Sequence, residues 1–168
     1  DPRDGHPLAE ALAALGEAPL EGRPFTERFA CETLDHTADE GFVTWAPDRA
    51  DLLAAAAEAM GALIVDPDTV APTQVVPIEV EVGDAEDDGR MFAWLSEVLY
   101  HLDARRLALR RAVVFDDGPD HVTGALLGEA LDESRHGVRS ALKAVTWHAL
   151  EVAPAGDGRW RAQVVIDV

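Results

Sequence analysis

The sequence predicts an α+β fold, a mostly antiparallel sheet packed with two main helices. Segments that alternate like strands are interspersed with segments spaced like helices, and strands run together at the end. Two of the helical segments each carry one apolar face. Near the end, Pro154-Ala155-Gly156-Asp157-Gly158 separates two β-prone stretches, a hairpin signal that makes them antiparallel neighbours.

Residues 1–27 read as an N-terminal extension, punctuated by Pro2, Gly5, Pro7, Pro19, Gly22 and Pro24. An Ala-rich stretch from Leu8 to Leu15 is long enough only for a short helix, weak by itself. The folded domain is predicted over 28–168. Residues 28–34 read as a strand, 35–39 as a polar connection and 41–46 as a second strand. Asp48, followed three residues later by Asp51, marks a helix start. Leu52, Leu53, Ala56, Met60, Leu63 and Ile64 form its apolar face, and Asp66-Pro67 stops it. Residues 74–82 alternate as a strand, with Val76, Ile78, Val80 and Val82 on one face. Asp84 to Gly89 reads as an acidic turn. A second helix is predicted over 91–104, buried along Phe92, Leu95, Val98, Leu99 and Leu102. Strands are predicted over 107–115, 121–130, 144–152 and 160–167.

The 168 residues suit one domain with a real core, at 48% hydrophobic residues. The formal net charge of −18 repels phosphate backbones, which argues against high-affinity nucleic-acid binding. It favours divalent cations or a basic protein partner, and it also serves solubility. The single cysteine, Cys31, reads as a buried strand residue; it excludes an internal disulfide and a Cys-rich zinc site, and fits a reducing cytoplasm. No apolar run reaches the roughly 18–20 residues of a membrane span, and residues 1–27 lack a signal-peptide layout. Gly-x-Gly-x-x-Gly, Walker A and Gly-x-Ser-x-Gly motifs are absent.

One lysine, Lys143, stands against thirteen arginines. A compact ammonium on a flexible stem is not interchangeable with a planar guanidinium where a point charge must enter a pocket. Lys143 is therefore either a functional group or a survivor of an Arg-favouring composition. If the hairpin folds back at about residue 156, Asp167 lies beside residues 146–147 and within roughly 10 Å of Lys143, at ~3.3 Å per strand residue. An Asp after Val164-Val165-Ile166 is a poor strand former, so it is either a solvated end or a ligand. Asp35-His36-Thr37-Ala38-Asp39 places two carboxylates and an imidazole in five residues, as a turn or as a cation-binding loop. Asp39, Asp167 and the Ile166 carbonyl would give a partial shell for a hard cation, completed by water. His148 reads as a structural residue within a strand. The four tryptophans read as core anchors. Gly128-Glu129, Asp132 and Arg135-His136 read as a charged, solvated connection.

Five ordered blocks together resemble the archease family: Asp35-His36-Thr37-Ala38-Asp39, Trp94-Leu95-Ser96-Glu97-Val98-Leu99-Tyr100, Gly128-Glu129, Lys143-Ala144-Val145-Thr146-Trp147-His148 and Val165-Ile166-Asp167-Val168. The resemblance covers about residues 28–168 and implies an α+β fold. It also implies that the chain is not an enzyme but a cytoplasmic protein cofactor. Its partner would be the GTP-dependent RNA ligase of tRNA splicing and RNA repair. That ligase joins 2′,3′-cyclic phosphate or 3′-phosphate ends to 5′-hydroxyl ends, and the cofactor promotes its guanylylation and turnover. By motif match, Asp39, Ile166 and Asp167 resemble the family's divalent-metal site, with calcium first and magnesium or manganese as alternatives. Lys143 resembles the residue that acts on the partner, and Asp35 and His36 would shape the site. Glu40 and Ser96 depart from the family pattern, Glu40 adding charge beside the acids. The competing readings are a small metal-dependent hydrolase, which would turn over without a partner, and a chaperone-like binding module for RNA-modifying proteins.

Overall fold

The structure, a computed structural model, describes residues 31–35 and 39–168. The extension 1–27, residues 28–30 of the first predicted strand and His36 lie outside the described residues, as does the side-chain environment of Cys31. In chain order the elements are β1 (Cys31–Asp35), β2 (Asp39–Ala46), α1 (Arg49–Ile64), a 3₁₀ turn (Pro67–Thr69), β3 (Gln74–Glu81) and α2 (Asp87–Asp103). They continue with β4 (Leu107–Asp117), β5 (His121–Ala130), the one-turn α3 (Glu133–His136), β6 (Ala144–Val145), β7 (Glu151–Pro154) and β8 (Trp160–Asp167). The α+β class holds, and all strand pairs are antiparallel. They form two sheets rather than one. The first runs β1-β2-β8-β6 with β7 also on β8, and the second runs β3-β5-β4.

Asp48 caps α1 as expected, its Oδ1 accepting from Asp51 N at 2.8 Å. The predicted one-sided face is replaced by burial all round. Every residue from Leu52 to Gly61 is buried, because α1 packs on β2 and β8 of one sheet and on β4 of the other. The alanines at 54–57 and 59 let both sheets approach closely, and they also erase the polar face that a helix on a single sheet would need. Glu58 falls in this buried stretch. Its Oε1 accepts from Arg111 Nε and from Ala112 N, each at 3.0 Å, which offsets the desolvation of its charge.

The second helix begins at Asp87, inside the expected acidic turn, where Asp87 and Asp88 complement the positive helix end. Its buried stripe is Met91, Trp94, Leu95, Val98, Leu99 and Leu102; Phe92 is only half-buried. Trp94 Nε1 donates to Leu53 O at 2.8 Å and locks α2 to α1. On β3, Ile78 and Val80 alternate inward as predicted.

The predicted strand 144–152 is broken. From Ala144 to Glu151 the chain advances seven residues while β8 advances four, from Asp167 to Gln163, so three extra residues bulge out. Trp147, His148 and Ala149 occupy that turn, and Ala149 takes a left-handed φ of 53°. His148 is therefore an exposed turn residue and not part of a strand. Trp147 is 59% exposed, whereas Trp94 is fully buried, so the reading of four core tryptophans fails at Trp147.

Candidate functional site

Three adjacent strand ends bring the predicted site residues together. Asp167 on β8 lies directly opposite Asp39 on β2 and, on its other side, opposite Ala144 on β6. Lys143 N donates to Asp167 O at 2.8 Å, so the lone lysine is tied by its backbone to the terminal acid. The hairpin reading thus placed Lys143 correctly. It put Asp167 beside residues 146–147 rather than 144, because the three-residue bulge cannot be read from turn chemistry.

Asp39 is the first residue of β2 and not part of a loop, and Asp35 is the last of β1, its backbone paired with Glu40. Side chains directly opposite on antiparallel strands share a face, with Cβ atoms about 4.5–5.5 Å apart. Two carboxylates so placed repel unless a cation sits between them. None of the ion pairs between described residues includes Asp39, Asp167 or Lys143. Asp39 is half-buried, and Asp167 and Lys143 are exposed.

The Ile166 side chain is fully buried in the core. The Val165 carbonyl accepts from Thr146 N (3.1 Å) and that of Asp167 from Lys143 N, so ladder alternation turns the intervening Ile166 carbonyl toward β2. Two carboxylates and a nearby backbone carbonyl are the oxygen donors a hard divalent cation takes. Among the described residues no three metal-ligating side chains converge. The acids fit part of a shell that carbonyls and water would complete.

Gly41 keeps this arrangement close. A Cβ there would lie 2.6 Å from Val164 O, so any side chain would push β2 away from β8 two residues from the acid pair. Glu40 pairs with Ile166 and alternates to the opposite face from Asp39, where Ser140 Oγ donates to its Oε1. Its carboxylate thus engages Ser140 off the face the two acids share, while the residue still lies beside Asp39 as expected. Beside Asp39 opens a cleft of about 470 Å³, with Glu40, Leu34, Arg139 and Ser140 among its walls. Arg139 is held there by its N–H to Ile64 O at 2.7 Å.

The charged connection 128–136 is solvated at Asp132 and Arg135 but buried at Glu129 and His136. His136 is 2% exposed, its Nδ1 accepting from Asp132 N at 2.9 Å and its Nε2 donating to Glu129 Oε1 at 2.7 Å. Glu129 also pairs with Arg135 at 2.7 Å and accepts from Ala71 N at 3.0 Å. Arg135 first, then the Ala71 N–H and His136, pull its carboxyl down to about 2. This network anchors the end of β5 to the segment before β3. Asp132 as a helix cap and Gly137 at φ 63° are the local signals that a tight turn, not an open loop, follows β5.

A second cleft, of about 520 Å³, lies between the start of α2 and the β4–β5 turn. Its cations are engaged in the fold. Arg90 donates to Asp117 and to the Gly118 and Pro119 carbonyls, and Arg49 pairs with Asp87 at 2.7 Å.

The sequence pattern of the archease protein family matches residues 31–168. The chain belongs to the archease family. The protein archease of Methanopyrus kandleri is 36% identical over 140 residues, covering 82% of this chain and 98% of its own. That of Methanosarcina barkeri is 33% identical over 141 residues, covering 82% and 94%. The solution structure of Methanobacterium thermoautotrophicum protein 1598 superposes with a TM-score of 0.67 at 28% identity, covering 82% of this chain and 98% of that one. In this archease fold the ordered sequence blocks divide by role. The Trp94–Tyr100 block packs α2 and Gly128-Glu129 belongs to the buried network, whereas Asp39, Lys143 and Asp167 converge at the strand ends. Among the described residues no helix is long and apolar enough to cross a membrane.

Proposed function

We propose that this archease is an accessory protein, without turnover of its own, for the GTP-dependent RNA ligase that joins 2′,3′-cyclic phosphate or 3′-phosphate RNA ends to 5′-hydroxyl ends in tRNA splicing and RNA repair. In this reading it promotes the ligase's guanylylation and multiple turnover in the cytoplasm. One observation carries the reading: the chain's only lysine is hydrogen-bonded, backbone to backbone, to one of two aspartates that lie directly opposite each other. A net charge of −18 supports docking on a basic enzyme over gripping RNA.

Asp39, Asp167 and the Ile166 carbonyl would hold a divalent cation, calcium first and magnesium or manganese next. When bound, the cation supplies a local positive charge that attracts phosphate oxygens. Lys143, exposed and free to extend, places a second point charge beside the first. Its backbone tie to Asp167 fixes where that side chain starts. Asp35 and His36 border the same edge in sequence and would shape the rim.

The test is guanylylation and multiple-turnover ligation by the cognate ligase, with and without this protein and with Lys143→Ala. Stimulation by the wild type that vanishes in the variant is the expected result. Lys143→Arg with full activity would remove the point-charge role. Turnover without any partner would favour the hydrolase, and complex formation indifferent to Lys143 and Asp167, without stimulation, would favour a plain binding module.

A further inference from the structure

Trp147 is the largest exposed apolar side chain among the described residues, at 59% exposure, and it is not loosely held. Its ring stacks on Phe92 with centroids 4.1 Å apart and planes 10° from parallel. The turn that carries it is clamped from both sides. Thr146 donates to Val165 O through both N (3.1 Å) and Oγ1 (2.9 Å), and Gln163 Nε2 donates to Ala149 O at 2.9 Å. Ala149 is kept at a left-handed φ of 53°, a conformation that non-glycine residues adopt at a cost. The fold thus breaks a strand, inserts three residues and holds a strained alanine, and the result is an indole projecting into solvent. A Trp in that setting has already lost its rotamer freedom, which lowers the entropy cost of association.

Position narrows the occupant. Thr146 is bound to Val165, two residues along β8 from Asp167, so the Trp147 backbone lies roughly 10 Å from the acid pair. The indole therefore borders the edge that carries Lys143. The segments that flank the turn carry acids. Asp88 accepts from Val152 N at 2.8 Å, the adjoining Gly89 lies near the edge of the indole, and Glu151 is exposed where β7 begins. A free indole face on a chain of net charge −18 suits a flat cation, and it disfavours a nucleotide, whose phosphates that charge repels.

We propose that Trp147 is the docking anchor for the basic surface of the partner ligase, its free face receiving an arginine of that protein. The proposal rests on the ligase reading above and assigns binding to Trp147 and stimulation to Lys143. It is tested by calorimetric titration of the cognate ligase with wild type, Trp147→Ala, Trp147→Tyr and Lys143→Ala, with stimulation of guanylylation measured in parallel. Trp147→Ala is expected to weaken Kd about 30-fold, which is about 2 kcal/mol, with stimulation recovered at high concentration. Trp147→Tyr, which keeps a stacking face, should stay within about threefold of wild type. Lys143→Ala should bind like wild type and fail to stimulate. If wild type and Trp147→Ala bind alike, the anchor is overturned while the ligase reading stands; if Trp147→Tyr binds as weakly as Trp147→Ala, stacking is not the basis and the proposal also falls. If wild type does not bind the ligase, the ligase reading fails first. Quenching of Trp147 fluorescence by GTP or single-stranded RNA without ligase would overturn the assignment in favour of a nucleobase platform.

Discussion

Replacing Asp167 by asparagine is expected to stabilise the cation-free protein and to remove its response to calcium. Asp167 and Asp39 are direct cross-strand partners, so their Cβ atoms lie about 5 Å apart, which sets the scale of the charge separation. Two unit charges at that distance repel by about 0.8 kcal/mol in water and by roughly 3 kcal/mol at an effective dielectric of 20. Asp167 is exposed and Asp39 half-buried, which places the pair near the watery end, at about 1 kcal/mol. For a chain of this length that raises Tm by about 2–4 °C in chelator and low salt. The backbone hydrogen bond from Lys143 N to Asp167 O does not depend on the side chain and survives the change. Calcium at about 100 times its Kd should stabilise the wild type by roughly 2.7 kcal/mol and leave the variant nearly unmoved. The assay is thermal unfolding of both proteins in chelator and across a calcium series; the difference between them removes diffuse binding to the other 31 acids. A variant that melts lower than wild type in chelator, or one that gains as much from calcium, would refute the reasoning.

Gly41→Ala places a Cβ 2.6 Å from Val164 O, and the strand must shift to relieve it. A loss of about 1–3 kcal/mol in urea unfolding is expected, with weaker calcium response because the acids separate. The Glu129 carboxyl, lowered to about 2 by Arg135, Ala71 N–H and His136, contributes stability that is fully present above its ordinary value of 4.5. That contribution, up to about 3 kcal/mol, is lost as pH falls from about 4.5 toward 2. Urea midpoints measured across this range should fall for the wild type and much less for Glu129→Gln, which starts from a lower stability at neutral pH.

Local chemistry announced the elements whose signals are local. Asp48 and Asp66-Pro67 bounded α1, Ile78 and Val80 alternated as written, and the Gly156 hairpin joined β7 to β8. The same hairpin put the lone lysine next to Asp167, so half of the candidate site was readable before any fold was seen. What failed did so where a neighbour distant in sequence decides. The alanines of α1 look like a weak amphipathic face until both sheets close on it. His136 looks solvated until Glu129, seven residues back and itself held by the Ala71 N–H, reaches it.

The sequence by itself determined the α+β class, the positions of the two main helices, the antiparallel ending and the chemical inventory of one lysine among thirty-two acids. Those follow from periodicity, caps and turn residues, which act over a few positions. Only the tertiary structure decided that Asp39 and Asp167 are direct partners, that Glu40 turns away from them, and that Trp147 stands out beside them. Strand register sets all three, and a slip of one residue would exchange the faces; register is fixed by packing and by a three-residue bulge that no local signal marks.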